Sequence, residues 1–214
     1  MDRDFVMKHV DHTLLKATST YEQIEKLCDE AVEYKTASVC IPPSYVKRVA
    51  DKYGDRLTIC TVIGFPLGYS TTVVKKAETI DAINNGATEI DMVVNLGWVK
   101  DGLFDKVEEE IRTLKQVTGD KILKVIVETC YLTEEEKVKL CKAVTSAGAD
   151  FIKTSTGFGT GGATLEDVEL FKEHVGENVR IKASGGIRTK EDIENYINAG
   201  ADRIGASGAV KVYQ

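Results

Sequence analysis

Three stretches of this chain share one pattern: NNGATEIDMV from Asn84, SAGADFIKTS from Ser146 and NAGADRIGAS from Asn198. Each sets Gly-Ala between the end of a helical pattern and the start of a short apolar run. A recurring helix-to-strand junction constrains the fold more than any other feature here. Parallel strands joined by helices cross over with one hand and must share one sheet. Apolar runs lie at residues 37–41, 57–63, 88–95, 121–128, 150–155, 179–184 and 203–206, with a weaker one near Val10. They are rich in Val and Ile and do not alternate cleanly, as expected of parallel strands buried on both faces. Eight such units predict a (β/α)8 barrel in one domain, 1–214; an open doubly wound sheet is the alternative.

The segments between the runs carry helix signals. Thr20/Gln23, Thr133/Glu136, Thr164/Asp167 and Thr189/Asp192 fit the spacing of a capping box. Gly54, Gly86, Gly119, Gly148, Gly176 and Gly200 supply the stops. No linker, low-complexity tract or composition shift divides the chain.

Side chains alternate along a strand, so register decides which residues meet inside a barrel. Five positions beyond Gly86, Gly148 and Gly200 stand Asp91, Lys153 and Gly205. A second lysine, Lys182 in VRIKASGG, has the same apolar residue before it. The matched registers predict that Asp91, Lys153 and Lys182 project into the barrel near the C-terminal ends of the strands, where active sites of this fold lie. Lys153 and Lys182 fall on neighbouring strands. Two ammonium groups crowded in a dry place should each lower the other's pKa. A neutral amine attacks carbonyls to form a Schiff base, and Asp91 can move the protons. A lone strand lysine is more often salt-bridged or snorkelling, and a lone aspartate is as often structural as catalytic. The coincidence of three matched registers favours catalysis.

Glycine-rich loops follow the last strands. Ser184-Gly185-Gly186 and Gly205-Ala206-Ser207-Gly208 occupy the places where this barrel builds a phosphate cradle from backbone amides and a helix N-terminus. Gly157-Phe158-Gly159-Thr160-Gly161-Gly162 matches G-x-G-x-x-G, but the next strand, VRIKAS, ends without the acidic residue that would hold a ribose. It reads as a turn that brings backbone to the site rather than a dinucleotide loop. His9, His12 and His174 form no metal-ligand constellation with the cysteines or carboxylates, so no metal is expected; no cofactor is expected either, since a Schiff-base lysine supplies its own electron sink. His12 reads as structural and Asp11 as the better polar candidate at the end of the first strand. The formal charge of −6 disfavours nonspecific binding to nucleic acid or membrane. Five cysteines without a C-x-x-C pair, no signal-peptide pattern and no long apolar segment point to a reduced, cytoplasmic protein.

These motifs together resemble the deoxyribose-phosphate aldolases of the short bacterial or archaeal type: DHTLL at 11–15, VCIPP at 39–43, VIGFPLG at 62–68, EIDMVVNLG at 89–97, KVIVET at 124–129, ADFIKTSTGF at 149–158 and KASGGIR at 182–188. The resemblance implies a class I aldolase on a TIM barrel. Such an enzyme reversibly cleaves 2-deoxy-D-ribose 5-phosphate to acetaldehyde and D-glyceraldehyde 3-phosphate, in deoxyribonucleoside catabolism. It implies Lys153 as the Schiff-base lysine, Lys182 as the residue that tunes it and Asp91 as the proton relay. It further implies substrate or phosphate contacts from Asp11, Cys40, Thr156, Gly157, Gly185, Gly186, Ser207 and Gly208, and a homo-oligomer, dimer or higher. Two features depart from some relatives. Gly208 replaces a second serine in the last loop, and the chain reaches VYQ soon after strand eight, which leaves Tyr213 doubtful as a proton donor and the last helix very short. Rival readings are a phosphosugar isomerase or epimerase using Asp91 as a base without an imine, and a non-catalytic sugar-phosphate binder.

Overall fold

The computed structural model describes residues 1–214 and closes eight parallel strands into a barrel in sequence order. The strands are β1 (Val10–Thr13), β2 (Ser38–Ile41), β3 (Ile59–Ile63), β4 (Glu89–Val93), β5 (Ile122–Ile126), β6 (Phe151–Lys153), β7 (Arg180–Ser184) and β8 (Arg203–Ala206). Pairing of β1 with β8, Asp11 opposite Gly205, seals the ring. The helices are α1 (Arg3–Met7), α2 (Tyr21–Tyr34), α3 (Val46–Tyr53), α4 (Thr72–Asn84), α5 (Leu96–Lys100), α6 (Phe104–Thr118), α7 (Glu134–Ser146), α8 (Leu165–His174), α9 (Lys190–Ala199) and α10 (Ala209–Val212). None is long and apolar enough to cross a membrane. The closed ring removes the open-sheet alternative. α10 spans four residues, as short as the sequence requires.

The Gly-Ala repeat has a physical cause. Gly86, Gly148 and Gly200 adopt φ of 108°, 77° and 119°, the left-handed region that stops a helix. The following alanine amides turn back onto the last helical turn: Ala87 to Ala82, Ala149 to Val144 and Ala201 to Tyr196. These alanines are buried, so the chain leaves each helix aimed into the sheet. The next residue closes the junction. Asp150 and Asp202 accept hydrogen bonds from the amides of Leu123 and Ile181 on the preceding strand, each at 2.8 Å.

Full capping boxes form at Thr20/Gln23, Thr133/Glu136 and Thr189/Asp192, whereas Thr164 accepts from the Asp167 amide without a reciprocal bond. Ile90, Met92, Leu123, Val125, Ile152, Ile181, Ala183 and Ile204 join the apolar layer between barrel and helices. Their register leaves the alternate positions for the interior. A buried ion pair ties α4 to α6: Lys75 donates to Glu110 at 2.7 Å and to the Val93 carbonyl at 2.8 Å. The sixth strand is shorter than its apolar run. Beyond Lys153 the chain keeps two ladder bonds at Thr154, its amide donating to Lys182 and its carbonyl accepting from Thr129, and then turns to build the mouth.

Candidate active site

The barrel interior is charged. Asp91 on β4 is fully buried and receives four donors on two oxygens. Lys153 and Lys182 both donate to Oδ2 at 2.7 Å, while Lys124 at 2.9 Å and the Cys60 thiol at 3.1 Å donate to Oδ1. Lys153 lies opposite Lys182 across β6 and β7, and Asp91 lies opposite Lys124 across β4 and β5. A second carboxylate supports the first. Asp11 accepts from Lys182 and from Arg203 at 2.5 Å each, and from Ser38 at 2.6 Å. Glu89 pairs with Lys124 at 2.6 Å and with Arg203 at 3.1 Å.

This arrangement corrects the expectation that the two lysines suppress each other's charge. Burial does oppose the Lys182 ammonium, but Asp11 and Asp91 outweigh it and raise its pKa above the ordinary lysine value. Lys124 is likewise buried yet held well above that value, chiefly by Asp91. Burial also works against the ionised forms of Asp91 and Asp11. The neighbouring cations prevail, Lys124, Lys153 and Lys182 for Asp91 and Lys182 first for Asp11, and both carboxyls are pushed well below their usual range. Lys182 is therefore a fixed cation.

Above this layer a cavity of about 430 Å³ opens among the loops that follow β1, β6, β7 and β8. Lys153 is the one member of the buried lysine cluster that reaches its wall; Lys124 and Lys182 have no exposed surface. Thr156, Gly157, Gly185, Gly186 and Ser207 line the cavity, together with Lys16 and Arg188. Gly208 stands just outside, as N-cap of α10. None of the loop hydrogen bonds uses the amides of Gly185, Gly186, Ser207 or Gly208 as donors, which leaves these four N–H groups unpaired within the chain. Two glycines are required by contact. A Cβ at Gly162 would lie 2.2 Å from the Gly185 carbonyl oxygen, and one at Gly205 would lie 2.8 Å from the Ser184 Cβ and 3.2 Å from the Lys182 Cε. The G-x-G-x-x-G run thus ends in a glycine that lets two loops touch.

Asp11 does not end its strand, contrary to the sequence reading. It lies second in β1, beneath the lysines and away from the cavity wall. Cys40 is also buried off the cavity, beside Cys60; the neighbouring Cys60 lowers the pKa of the Cys40 thiol, while burial raises that of Cys60. His12 faces outward and pairs with Glu30 on α2 at 2.8 Å. The Tyr213 hydroxyl donates to Glu194 on α9 at 3.0 Å and does not line the cavity. Donor atoms of Cys40, Cys60 and Asp91, and of Asp11, Cys60 and Glu89, come within 4.8 Å of one another. The carboxylates in both sets already meet Lys124, Lys153, Lys182 or Arg203.

Lys124, Glu89 and Arg203 were not singled out in the sequence, although a signal existed. Counting five from Gly119 lands on Lys124, while Glu89 and Arg203 stand two residues before Asp91 and Gly205 on the same inward face. A fourth carboxylate also escaped. Glu128, buried just beyond β5, accepts the Thr156 amide at 3.1 Å on Oε1 and the Thr156 hydroxyl on Oε2.

The sequence matches the DeoC/LacD family of aldolases over residues 5–211. It is 63% identical over 210 residues to a deoxyribose-phosphate aldolase of Clostridium botulinum (strain Alaska E43 / Type E3), covering 98% of this chain and 95% of that one. A deoxyribose-phosphate aldolase of Clostridioides difficile (strain 630) is 59% identical over 207 residues, covering 97% of this chain and 94% of that one. A solved tetrameric structure of the deoxyribose phosphate aldolase from Aeropyrum pernix superposes with a TM-score of 0.89 at 32% identity, covering 99% of this chain and 90% of that one.

Proposed function

This chain belongs to the DeoC/LacD family of aldolases, and from that premise we propose that it cleaves 2-deoxy-D-ribose 5-phosphate reversibly into acetaldehyde and D-glyceraldehyde 3-phosphate through a Schiff base on Lys153. One observation carries the assignment of the lysine. Among the buried amines around Asp91, Lys153 alone meets the cavity.

Lys153 gives a proton toward Asp91 Oδ2 at 2.7 Å and becomes the nucleophile. Lys182, held charged on the same oxygen, keeps Asp91 from retaining that proton, so the carboxylate passes it on to the carbinolamine hydroxyl. Water leaves and a protonated imine forms at C1. A two-carbon and a three-carbon product fix the broken bond as C2–C3. Its electron pair flows into the imine, glyceraldehyde 3-phosphate departs, and the enamine is protonated at C2 and hydrolysed to acetaldehyde. The lysine is the electron sink, so the scheme uses no cofactor.

The unpaired amides of Gly185, Gly186, Ser207 and Gly208, with the Ser207 hydroxyl, Lys16 and Arg188, receive the phosphate. Thr156 and Gly157 form the wall beside Lys153. Asp11 and Cys40 act from below, Asp11 by holding Lys182 and Cys40 by closing the floor beside Cys60. The enzyme works in the cytoplasm, in the breakdown of deoxyribose phosphates. Leu67, Tyr69 and Val73, 56%, 70% and 78% exposed, favour assembly with further copies of the chain.

Borohydride added with substrate should leave a reduced adduct on the peptide carrying Lys153. Lys153→Leu should fold, fail to trap and lose cleavage. Active protein with Lys153 unmodified after reduction would overturn the assignment.

A further inference from the structure

The reaction needs a second proton acceptor. As C2–C3 breaks, the C3 hydroxyl must lose its proton to become an aldehyde. Asp91 is poorly placed for that task, because both its oxygens are already filled by Lys124, Lys153, Lys182 and Cys60. Glu128 differs. It is 2% exposed, and unlike Asp11, Glu89 and Asp91 it has no lysine or arginine in ion-pair reach. Both its oxygens go to Thr156, three residues beyond Lys153.

The backbone holds Glu128 there against its own preference. Its φ and ψ are 57° and 65°, left-handed for a residue with a Cβ. Ladder bonds on either side fix it to the strand of the nucleophile: the Val127 amide donates to Lys153 at 3.0 Å and the Thr129 amide to Thr154 at 2.9 Å. The Glu128 carboxylate reaches the amide and hydroxyl of Thr156, which lines the cavity, so it lies on the interior side.

The bonding of Thr156 then sets its chemistry. Its hydroxyl proton is committed to Glu128, and one lone pair accepts the Phe158 amide at 3.0 Å. A hydroxyl has two lone pairs. The second is left for the cavity that Thr156 lines with Lys153. Toward a substrate Thr156 is an acceptor, oriented by the carboxylate behind it.

We propose that Glu128, acting through Thr156, takes up the proton of the substrate hydroxyl when the carbon–carbon bond breaks. The inference rests on the aldolase reading above. The C3 hydroxyl proton passes to Thr156 Oγ1 as the Thr156 proton passes to Glu128. The electron pair freed from the O–H bond becomes the second C3–O bond of the aldehyde, and the C2–C3 pair becomes the C1–C2 double bond of the enamine, whose nitrogen takes the imine electrons. One positive and one negative charge disappear together, so the step balances without another reactant. Thr156 is the catalytic residue in this step and Glu128 its positioning residue and proton store.

The test separates cleavage from the enamine half-reaction. Acetaldehyde alone in D2O exchanges its methyl protons through the Lys153 imine and enamine, with no carbon–carbon bond broken. In Glu128→Gln and Thr156→Val, kcat for cleavage should fall by about 10²-fold or more, the scale of general acid–base catalysis, while the exchange rate falls far less. Thr156→Ser, which keeps the hydroxyl, should restore most of kcat. Wild-type cleavage in Glu128→Gln would overturn the proposal. So would loss of exchange in step with cleavage in both variants, which is the mark of a purely structural clasp. Absence of exchange in the wild-type protein would instead sink the Schiff-base reading itself.

Discussion

Asp91 shows how a single residue sets both the chemistry and the stability of this interior. A carboxylate stripped of water survives only if its charge is met, and here Lys124, Lys153 and Lys182 meet it. Asp91→Asn leaves those ammonium groups short of a counter-charge, so it should cost about 3–5 kcal/mol of unfolding free energy in urea titrations as well as most of the activity. The linkage to pH has a definite sign. Asp11 and Asp91 have folded pKa values below the unfolded value of about 3.9, so their contribution is fully present above that value and is lost as pH falls below it. Thermal melts should therefore be flat with respect to these groups from pH 5 to pH 8, to within about a degree, and drop below about pH 4. Asp11→Asn should flatten the acid limb. Lys182, with its pKa raised, contributes throughout this range and is lost only under strongly alkaline conditions. An unchanged acid limb in Asp11→Asn would contradict the placement of its charge.

At the scale of the element, β8 shows what a strand must omit. Gly205 takes the inward place that holds Asp91 on β4 and Lys153 on β6, and its missing side chain leaves room for the Lys182 stem. Gly205→Ala puts a methyl 2.8 Å from Ser184 and 3.2 Å from Lys182. Crowding a packed interior typically costs about 1–3 kcal/mol, so the melting temperature should fall by several degrees, and borohydride trapping should slow as Lys182 shifts. The elements were largely legible because each signal is local: unbroken Val/Ile runs for strands, Thr–x–x–Gln/Glu/Asp for helix starts, Gly-Ala for the junctions. The charged floor was not. Lys124 enters β5 after Gly119 without the alanine that marked the other junctions, and Arg203 and Glu89 are ordinary charges until closure brings β8 and β4 to face each other across the interior. Glu128 was hidden for a similar reason: its role depends on a left-handed backbone that no propensity for glutamate predicts.

For the whole molecule, the question is what holds the two ends of the chain and whether either reaches the mouth. The Met1 ammonium donates to Glu194 at 2.8 Å, and the Tyr213 hydroxyl donates to the same oxygen at 3.0 Å, so both ends meet on α9. Burial and the Glu194 carboxylate raise the pKa of the Tyr213 phenol, which leaves it a proton donor to Glu194 at neutral pH. This clasp lies beside the β1–β8 seam, where α10 packs on α9 and on β1. It therefore supports closure of the barrel and holds Tyr213 away from the cavity wall at Lys153. Tyr213→Phe removes one partly exposed hydrogen bond, worth about 1 kcal/mol, which for a chain of this size is about 2–4 °C in melting temperature. The kcat for cleavage should stay within about twofold, since a positioned proton donor would contribute roughly 10²-fold or more. A hundredfold loss of kcat with an unchanged melting temperature would mean that the tail leaves Glu194 and bends over the cavity during turnover. A fall in melting temperature at constant kcat is the outcome that the clasp demands.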